Sequence, residues 1–187
     1  MPTYADVRLE TSRLVLRPFR HADAADLFKV YADPQVFRHI PIGDWKDLDE
    51  AHQRIARDIN TMAEGGYVRL AVERREDARV LGEVLLFKFD LPSRRAEIGY
   101  ALASDAWGCG YVAEALPPLV QFGFHELGLN RLEAVIDPRN AASEKVIRRL
   151  GFTHEGTFRE HHIIRGEAVD SAVWALLRRE WDSGTRP

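Results

Sequence analysis

Trp107-Gly108-Cys109-Gly110-Tyr111-Val112-Ala113-Glu114-Ala115 sets two glycines around one residue and runs straight into an amphipathic stretch. Glycines in this arrangement let the main chain approach an anion closely and aim several N–H groups at it. A helix starting there adds its own unpaired N–H groups and the positive end of its dipole. The combination suits a pyrophosphate. A second segment, Asn140-Ala141-Ala142-Ser143 through Leu150-Gly151-Phe152, follows after one strand-like stretch. Asn140 is a favoured helix cap. Ser143 shares the i, i+3, i+4, i+7 stripe of Val146, Ile147 and Leu150, so its hydroxyl faces inward. Ahead of the turn, Glu97 stands between Ala96 and Ile98, apolar neighbours that would raise a carboxylate's pKa. Two other chemistries find no support. The seven histidines lack zinc-like spacing to the single cysteine, Cys109, so no metal site is expected. No Gly-x-Ser-x-Gly nucleophile motif occurs.

The elements that must position these residues read from periodicity. Alternation predicts a strand over 13–19, and i, i+3, i+4 patterns predict helices over 22–32 and 48–62, with a loop over 36–45 between them. Strand-like stretches at 67–73, 80–89 and 94–102 are joined by short polar links, as in an antiparallel meander. A helix over 110–127, a strand over 131–136, a helix over 143–150 and strands over 153–162 and 169–177 complete the order β-α-α-β-β-β-α-β-α-β-β. That order predicts an α/β (α+β) fold with helices packed on a mixed sheet. Pro117 and Pro118 break the third helix's own rules, predicting a bend or a later start. A length of 187 residues with 45 % hydrophobic content suits one domain, 1–187. The net charge of −3 leaves no basic surplus for a nucleic-acid backbone, and no apolar run reaches membrane-spanning length. With a polar N-terminus and one cysteine, the expectation is a soluble, cytoplasmic protein with neither membrane nor nucleic-acid partners.

Taken in order, several short motifs resemble the GNAT superfamily of acetyl-CoA-dependent N-acetyltransferases, and within it the branch of the ribosomal-protein N-terminal (alanine/serine) acetyltransferases. They are Leu9-Glu10-Thr11-Ser12-Arg13-Leu14 leading Leu16-Arg17-Pro18, Ala96-Glu97-Ile98-Gly99-Tyr100, Trp107-Gly108-Cys109-Gly110-Tyr111, Glu114-Ala115-Leu116, Gly128-Leu129-Asn130-Arg131, Asn140-Ala141-Ala142-Ser143 and Leu150-Gly151-Phe152. The resemblance implies a mostly antiparallel central sheet with helices on both faces and two central strands that part around the pantetheine arm. It implies that main-chain N–H groups of Trp107, Gly108, Cys109, Gly110, Tyr111, Val112 and Ala113 hold the pyrophosphate of acetyl-CoA. It further implies that Ala101, Leu102 and Ala103 bond pantetheine through their main chain, and that Asn140 binds its amides or the phosphates. Trp107, Cys109 and Val112 replace the Gln or Arg, the basic residue and the Gly or Ala usual at those positions.

Acetyl transfer to an amine needs a neutral amine, a polarised carbonyl and a protonated leaving thiolate. Glu97 is the candidate base, against a plain surface pairing with Arg94 or Arg95, and Glu83 is a second candidate. Ile147 stands where many relatives have a proton-donating tyrosine, so Ser143 is the candidate donor, against a serine bonded to its own helix. The acceptor implied is an amine: a peptide N-terminus, a polyamine or an aminoglycoside-like compound, met by the loop 36–45 and the segment 159–166. Asp44, Asp47 and Asp49 are candidates to attract such a cation. A homodimer is also consistent with the branch. Two other readings stay open. One is an acetyl-CoA-binding sensor without turnover. The other is a dinucleotide-binding protein, because Gly108 to Ala113 also fits G-x-G-x-x-A, with Asp137 lying 24 residues beyond Ala113.

Overall fold

A computed structural model describes residues 3–40 and 45–184. Eight strands form one sheet: β1 (Leu9–Glu10), β2 (Leu14–Arg17), β3 (Val68–Arg74), β4 (Val80–Asp90), β5 (Arg95–Leu102), β6 (Arg131–Ile136), β7 (Thr153–Ile164) and β8 (Glu167–Leu177). Their spatial order is β1-β2-β3-β4-β5-β6-β8-β7. Only β5 and β6 run parallel. One parallel pair in an antiparallel sheet is not the doubly wound sheet of a dinucleotide fold, so the Gly108–Ala113 fingerprint has no such context here.

Helices α1 (Ala24–Tyr31) and α2 (Leu48–Ala63) cover one face, and α3 (Tyr111–Gln121) and α4 (Ala141–Arg149) the other. Successive strand residues point to opposite faces, and β5 shows it. Ala96, Ile98 and Leu102 join the core with Leu116, Leu119, Phe124 and Ile147, whereas Ala101 and Ala103 join Leu27, Val30, Tyr31 and Ile55. The predicted strand and helix regions are all present, with ends shifted by up to a few residues. The chain adds the short β1 and a C-terminal α5 (Arg178–Asp182), both too brief to leave a periodic signal. Residues 41–44, within the predicted loop, lie outside the described residues. No helix among the described residues is long and apolar enough to cross a membrane.

Two irregularities of the sheet bear on the site. First, β5 pairs with β6 only at Arg95↔Arg131, Ala96↔Leu132 and Glu97↔Glu133; beyond that point β5 continues to Leu102 and β6 to Ile136 without meeting. Second, β4 and β7 each carry a bulge, between Phe87 and Asp90 and between Phe158 and His162, with Lys88 (φ 52) and Glu160 (φ 50) in the left-handed region. Bulges re-aim the side chains beside them.

The third helix corrects the reading of Pro117 and Pro118. It starts at Tyr111 and runs through both prolines to Gln121. The irregularity comes after them, where the coil widens to an i→i+5 turn over Phe122–Glu126, closed by Leu127 N–H to Phe122 O at 3.1 Å. Gly123 in that turn packs where a Cβ would meet Leu86 Cδ1 at 3.1 Å, so the widened coil sits tightly on the sheet.

Candidate active site

The glycine turn presents unclaimed donors. Trp107 N–H reaches Ser104 O at 3.2 Å, and Glu114 N–H reaches Gly110 O at 3.1 Å. Among the described residues, no backbone acceptor meets the N–H groups of Gly108, Cys109, Gly110, Tyr111, Val112 or Ala113. Gly108 (φ 75) and Gly110 (φ 79) take left-handed conformations that cost an L-residue roughly 1 kcal/mol or more. The carbonyl of Cys109 is turned away toward Arg13 Nη1, 3.1 Å distant. Trp107 is half exposed, and its indole Nε1 donates to Leu102 O at 2.9 Å. The Cys109 thiol is exposed and 3.6 Å from Trp107 O.

Glu114, in the first turn of α3, fastens this arrangement to the start of β2. Its carboxylate accepts from Thr11 Oγ1 (2.5 Å), Ser12 Oγ (3.2 Å), Arg13 N (2.9 Å) and Arg13 Nε (2.6 Å). Burial alone would raise its pKa, but the hydrogen bonds from Thr11 and Arg13 outweigh it and bring it down to about 2. A depressed carboxylate stabilises the fold fully above its ordinary value of 4.5, and that contribution disappears as pH falls through about 2. Glu114→Gln is therefore expected to lose about 2 kcal/mol near neutral pH, roughly 4–8 °C in Tm. Thermal melts should show that deficit constant above pH 4.5 and shrinking toward pH 2. A deficit that does not change with pH would dissociate it from the carboxylate's charge.

Where β5 and β6 part, a cavity of about 310 Å³ opens, walled by Ile98 to Ala101 on one side and Ala134 to Asp137 on the other. Register decides which main-chain groups face it. Ala103 N–H bonds Leu81 O on β4 at 2.8 Å, and a Cβ on Gly82 would lie 2.1 Å from Ala101 O, so both residues turn their main chain to β4. Arg94 O, by contrast, accepts from Asn130 N at 2.7 Å on the β6 side. By strand parity the groups that face β6 are those of Ile98, Tyr100 and Leu102, with Leu102 O already taken by Trp107. Of the three residues expected to meet pantetheine, Ala101 and Ala103 thus give their main-chain groups to β4, and Leu102 turns its own to the β6 side.

The cavity brings together Glu83, Glu97, Ala101, Asn140 and Ser143 from the predicted residues; Leu102, Ala103 and the turn 107–113 are not among its walls. Asn140 is the cap of α4, its Oδ1 accepting from Ser143 N at 3.1 Å. Ile147 is fully buried beneath. Tyr100 O–H donates to Ser143 O at 3.3 Å, and burial pushes its pKa up to about 12, so it keeps its proton. Glu97 is largely buried and pairs with Lys88 Nζ at 2.7 Å, not with Arg94 or Arg95. The bulge after Phe87 brings that lysine to it.

His162 is a functional candidate that periodicity does not reveal. It stands in the wall with Glu97 and Lys88. Burial lowers its pKa, with the neighbouring His161 and Lys88 adding to the effect against Glu97, so the ring is neutral at neutral pH. Only the bulge in β7 puts it there, since strict alternation cannot predict an extra residue. The loop after α1 contributes Phe37, His39 and Ile40 to the wall, and the β7–β8 hairpin His162 and Ile164. Asp47 instead caps α2 through Glu50 N at 3.1 Å; neither it nor Asp49 lines the cavity, and Asp44 lies outside the described residues. Asp137 is fixed by Arg139 Nη2 (2.7 Å) and His39 Nδ1 (3.1 Å). Among the described residues no cluster of His, Cys, Asp and Glu has the makings of a metal site.

Residues 13–153 match the family model described as an acetyltransferase (GNAT) domain. An N-acetyltransferase termed p20 from Bacillus licheniformis is 34% identical over 173 residues, covering 92% of this chain and 97% of that one. The [ribosomal protein uS5]-alanine N-acetyltransferase of Escherichia coli is 26% identical over 187 residues, covering 95% and 94%. In fold, the chain is similar to the crystal structure of the ribosomal-protein-S5-alanine acetyltransferase of Vibrio fischeri, with a TM-score of 0.79 at 22% identity over 94% of this chain and 99% of that one.

Proposed function

The chain belongs to the GNAT acetyltransferase family, and from that premise we propose that it moves the acetyl group of acetyl-CoA to a primary amine by direct transfer between the two bound substrates. The observation that carries this reading is the gap between β5 and β6, with free main-chain donors at one end and Glu97 in its wall. The donors from Gly108 to Ala113 suit the diphosphate, helped by the dipole of α3. The main-chain groups of Ile98, Tyr100 and Leu102 suit the pantetheine arm, and an N–H among them suits the thioester oxygen.

An amine attacks only when neutral. Glu97 takes its proton, directly or through water, and neutral His162 beside it is a second acceptor for that proton. The amine nitrogen bonds the acetyl carbon as the carbon–sulfur bond breaks, the thiolate takes the proton of Ser143, and the proton that the nitrogen sheds on becoming an amide returns to Ser143 Oγ through water. Ser143→Ala is expected to lower kcat about tenfold, because a water can replace the hydroxyl in part, while the KM for acetyl-CoA changes less than threefold. Steady-state kinetics on the variant checks this; an unchanged kcat would remove Ser143 from the proton path.

The acceptor is a peptide N-terminus, as the names of the Escherichia coli and Vibrio fischeri relatives suggest for this chain, or a small amine such as a polyamine or aminoglycoside. The test is thiol release from acetyl-CoA across alanyl and seryl peptides, polyamines and aminoglycosides. Turnover on one class supports the transferase and names the acceptor. Saturable acetyl-CoA binding with no turnover on any amine would instead make the protein a sensor of the coenzyme.

A further inference from the structure

One residue of the cavity wall, Glu83, has a buried carboxylate oxygen with no donor. Glu83, on β4, is 3% exposed. Its Oε1 is heavily used: Tyr31 O–H donates to it at 2.6 Å, Arg69 Nη1 bonds it, and Arg54 Nη2 lies 3.9 Å away. Its Oε2 has no hydrogen-bond partner among the described residues and is shut off from bulk solvent. Arg69 Nε is also without a hydrogen bond, but it faces the Asp58 carboxylate at 3.6 Å. Asp58 itself is engaged by Arg54 at 3.0 Å and by Tyr67. The surrounding network is therefore closed except at Glu83 Oε2, and leaving a buried acceptor unpaired is unfavourable, more so when it is charged. Tyr31 and its neighbours fix the geometry, with Trp45 stacked on the Tyr31 ring at 4.0 Å and Phe37 at 4.6 Å.

Glu83 sits opposite Ala101 in the ladder, four residues along β5 from Glu97 and on the same face. At ~3.3 Å per residue their main-chain positions are about 13 Å apart along the strand, and both residues line one cavity. We propose that Glu83 Oε2 is a binding contact for the acceptor, receiving an N–H that belongs to a nitrogen other than the one acetylated. This rests on the amine-acetyltransferase reading. The acceptor it selects is extended and carries a second N–H donor, on the far end of a linear diamine or on the backbone of a peptide.

Matched acceptor pairs test this on the wild-type enzyme. One pair sets linear α,ω-diamines of four to ten carbons against monoamines of the same length. The other sets an alanine tetrapeptide amide against its form N-methylated at the internal nitrogens. At least one pair should show a kcat/KM preference of about tenfold or more for the member with the second N–H, and the pair that does identifies the source. In Glu83→Gln the side-chain oxygen stays with Tyr31 and the arginines, and an NH2 replaces Oε2. The preference should then collapse toward unity through the KM for the acceptor, with kcat and the KM for acetyl-CoA within about twofold. Turnover without a preference in either pair would overturn the proposal, as would a preference that Glu83→Gln leaves intact or a loss confined to kcat. Absence of turnover on every amine would overturn the function itself.

Discussion

Glu97→Gln is expected to lower kcat by two to three orders of magnitude, about 3–4 kcal/mol of transition-state stabilisation, while the KM for acetyl-CoA stays within about twofold. The amide keeps the shape of the side chain but cannot take a proton. Coenzyme contacts are unaffected, because the turn and the β6-facing groups of β5 lie elsewhere. Loss of the ion pair costs little stability, since Lys88 Nζ sits on a side chain that is 61% exposed and returns to water. Residual turnover should depend on His162. Its pKa lies below the ordinary 6.5, so the variant's kcat at saturating acceptor should lose the His162 contribution only below pH 6.5. Pre-steady-state and steady-state rates against pH would read both effects; a wild-type kcat in the variant would remove Glu97 from the chemistry.

Gly82→Ala is expected to cost about 3 kcal/mol or more, a fall in Tm of roughly 6–12 °C. A Cβ there would lie 2.1 Å from Ala101 O and 2.8 Å from Leu102 Cα, and both are backbone atoms that cannot swing aside. Gly82 also holds φ 152. Relief requires β4 and β5 to separate, which shifts the wall that carries Ala101 and Glu83. The KM for acetyl-CoA should therefore rise together with the loss of stability. A melt within about 2 °C of wild type would show that the two strands leave room for a methyl group between them.

What periodicity can report is a side chain's face, and there the sequence was informative. The helix start just after Gly110, the cap at Asn140 and the inward stripe of Ser143 and Ile147 follow from neighbours three and four positions away. What it cannot report is which neighbour claims a main-chain group. Ala101 and Ala103 are spoken for because β4 pairs with β5 in one register, and that register is set by residues some twenty positions distant. The same limit hid the partners of Glu97 and Glu83. Lys88 and His162 reach the cavity through bulges, and the arginines around Glu83 come from α2 and β3. The prolines of α3 were visible as a fault in the pattern, yet the helix runs through them, and the widened turn at Phe122–Glu126 left no mark in the sequence.

The parting of β5 from β6 leaves a raw edge in the middle of a sheet, with hydrogen-bonding groups bared on both sides. Elsewhere such edges recruit stray strands and seed clumping. A coenzyme arm laid along this one would act as a missing strand, so occupancy should guard the protein's solubility as well as prime it for chemistry, and the empty form should be the one that associates on storage.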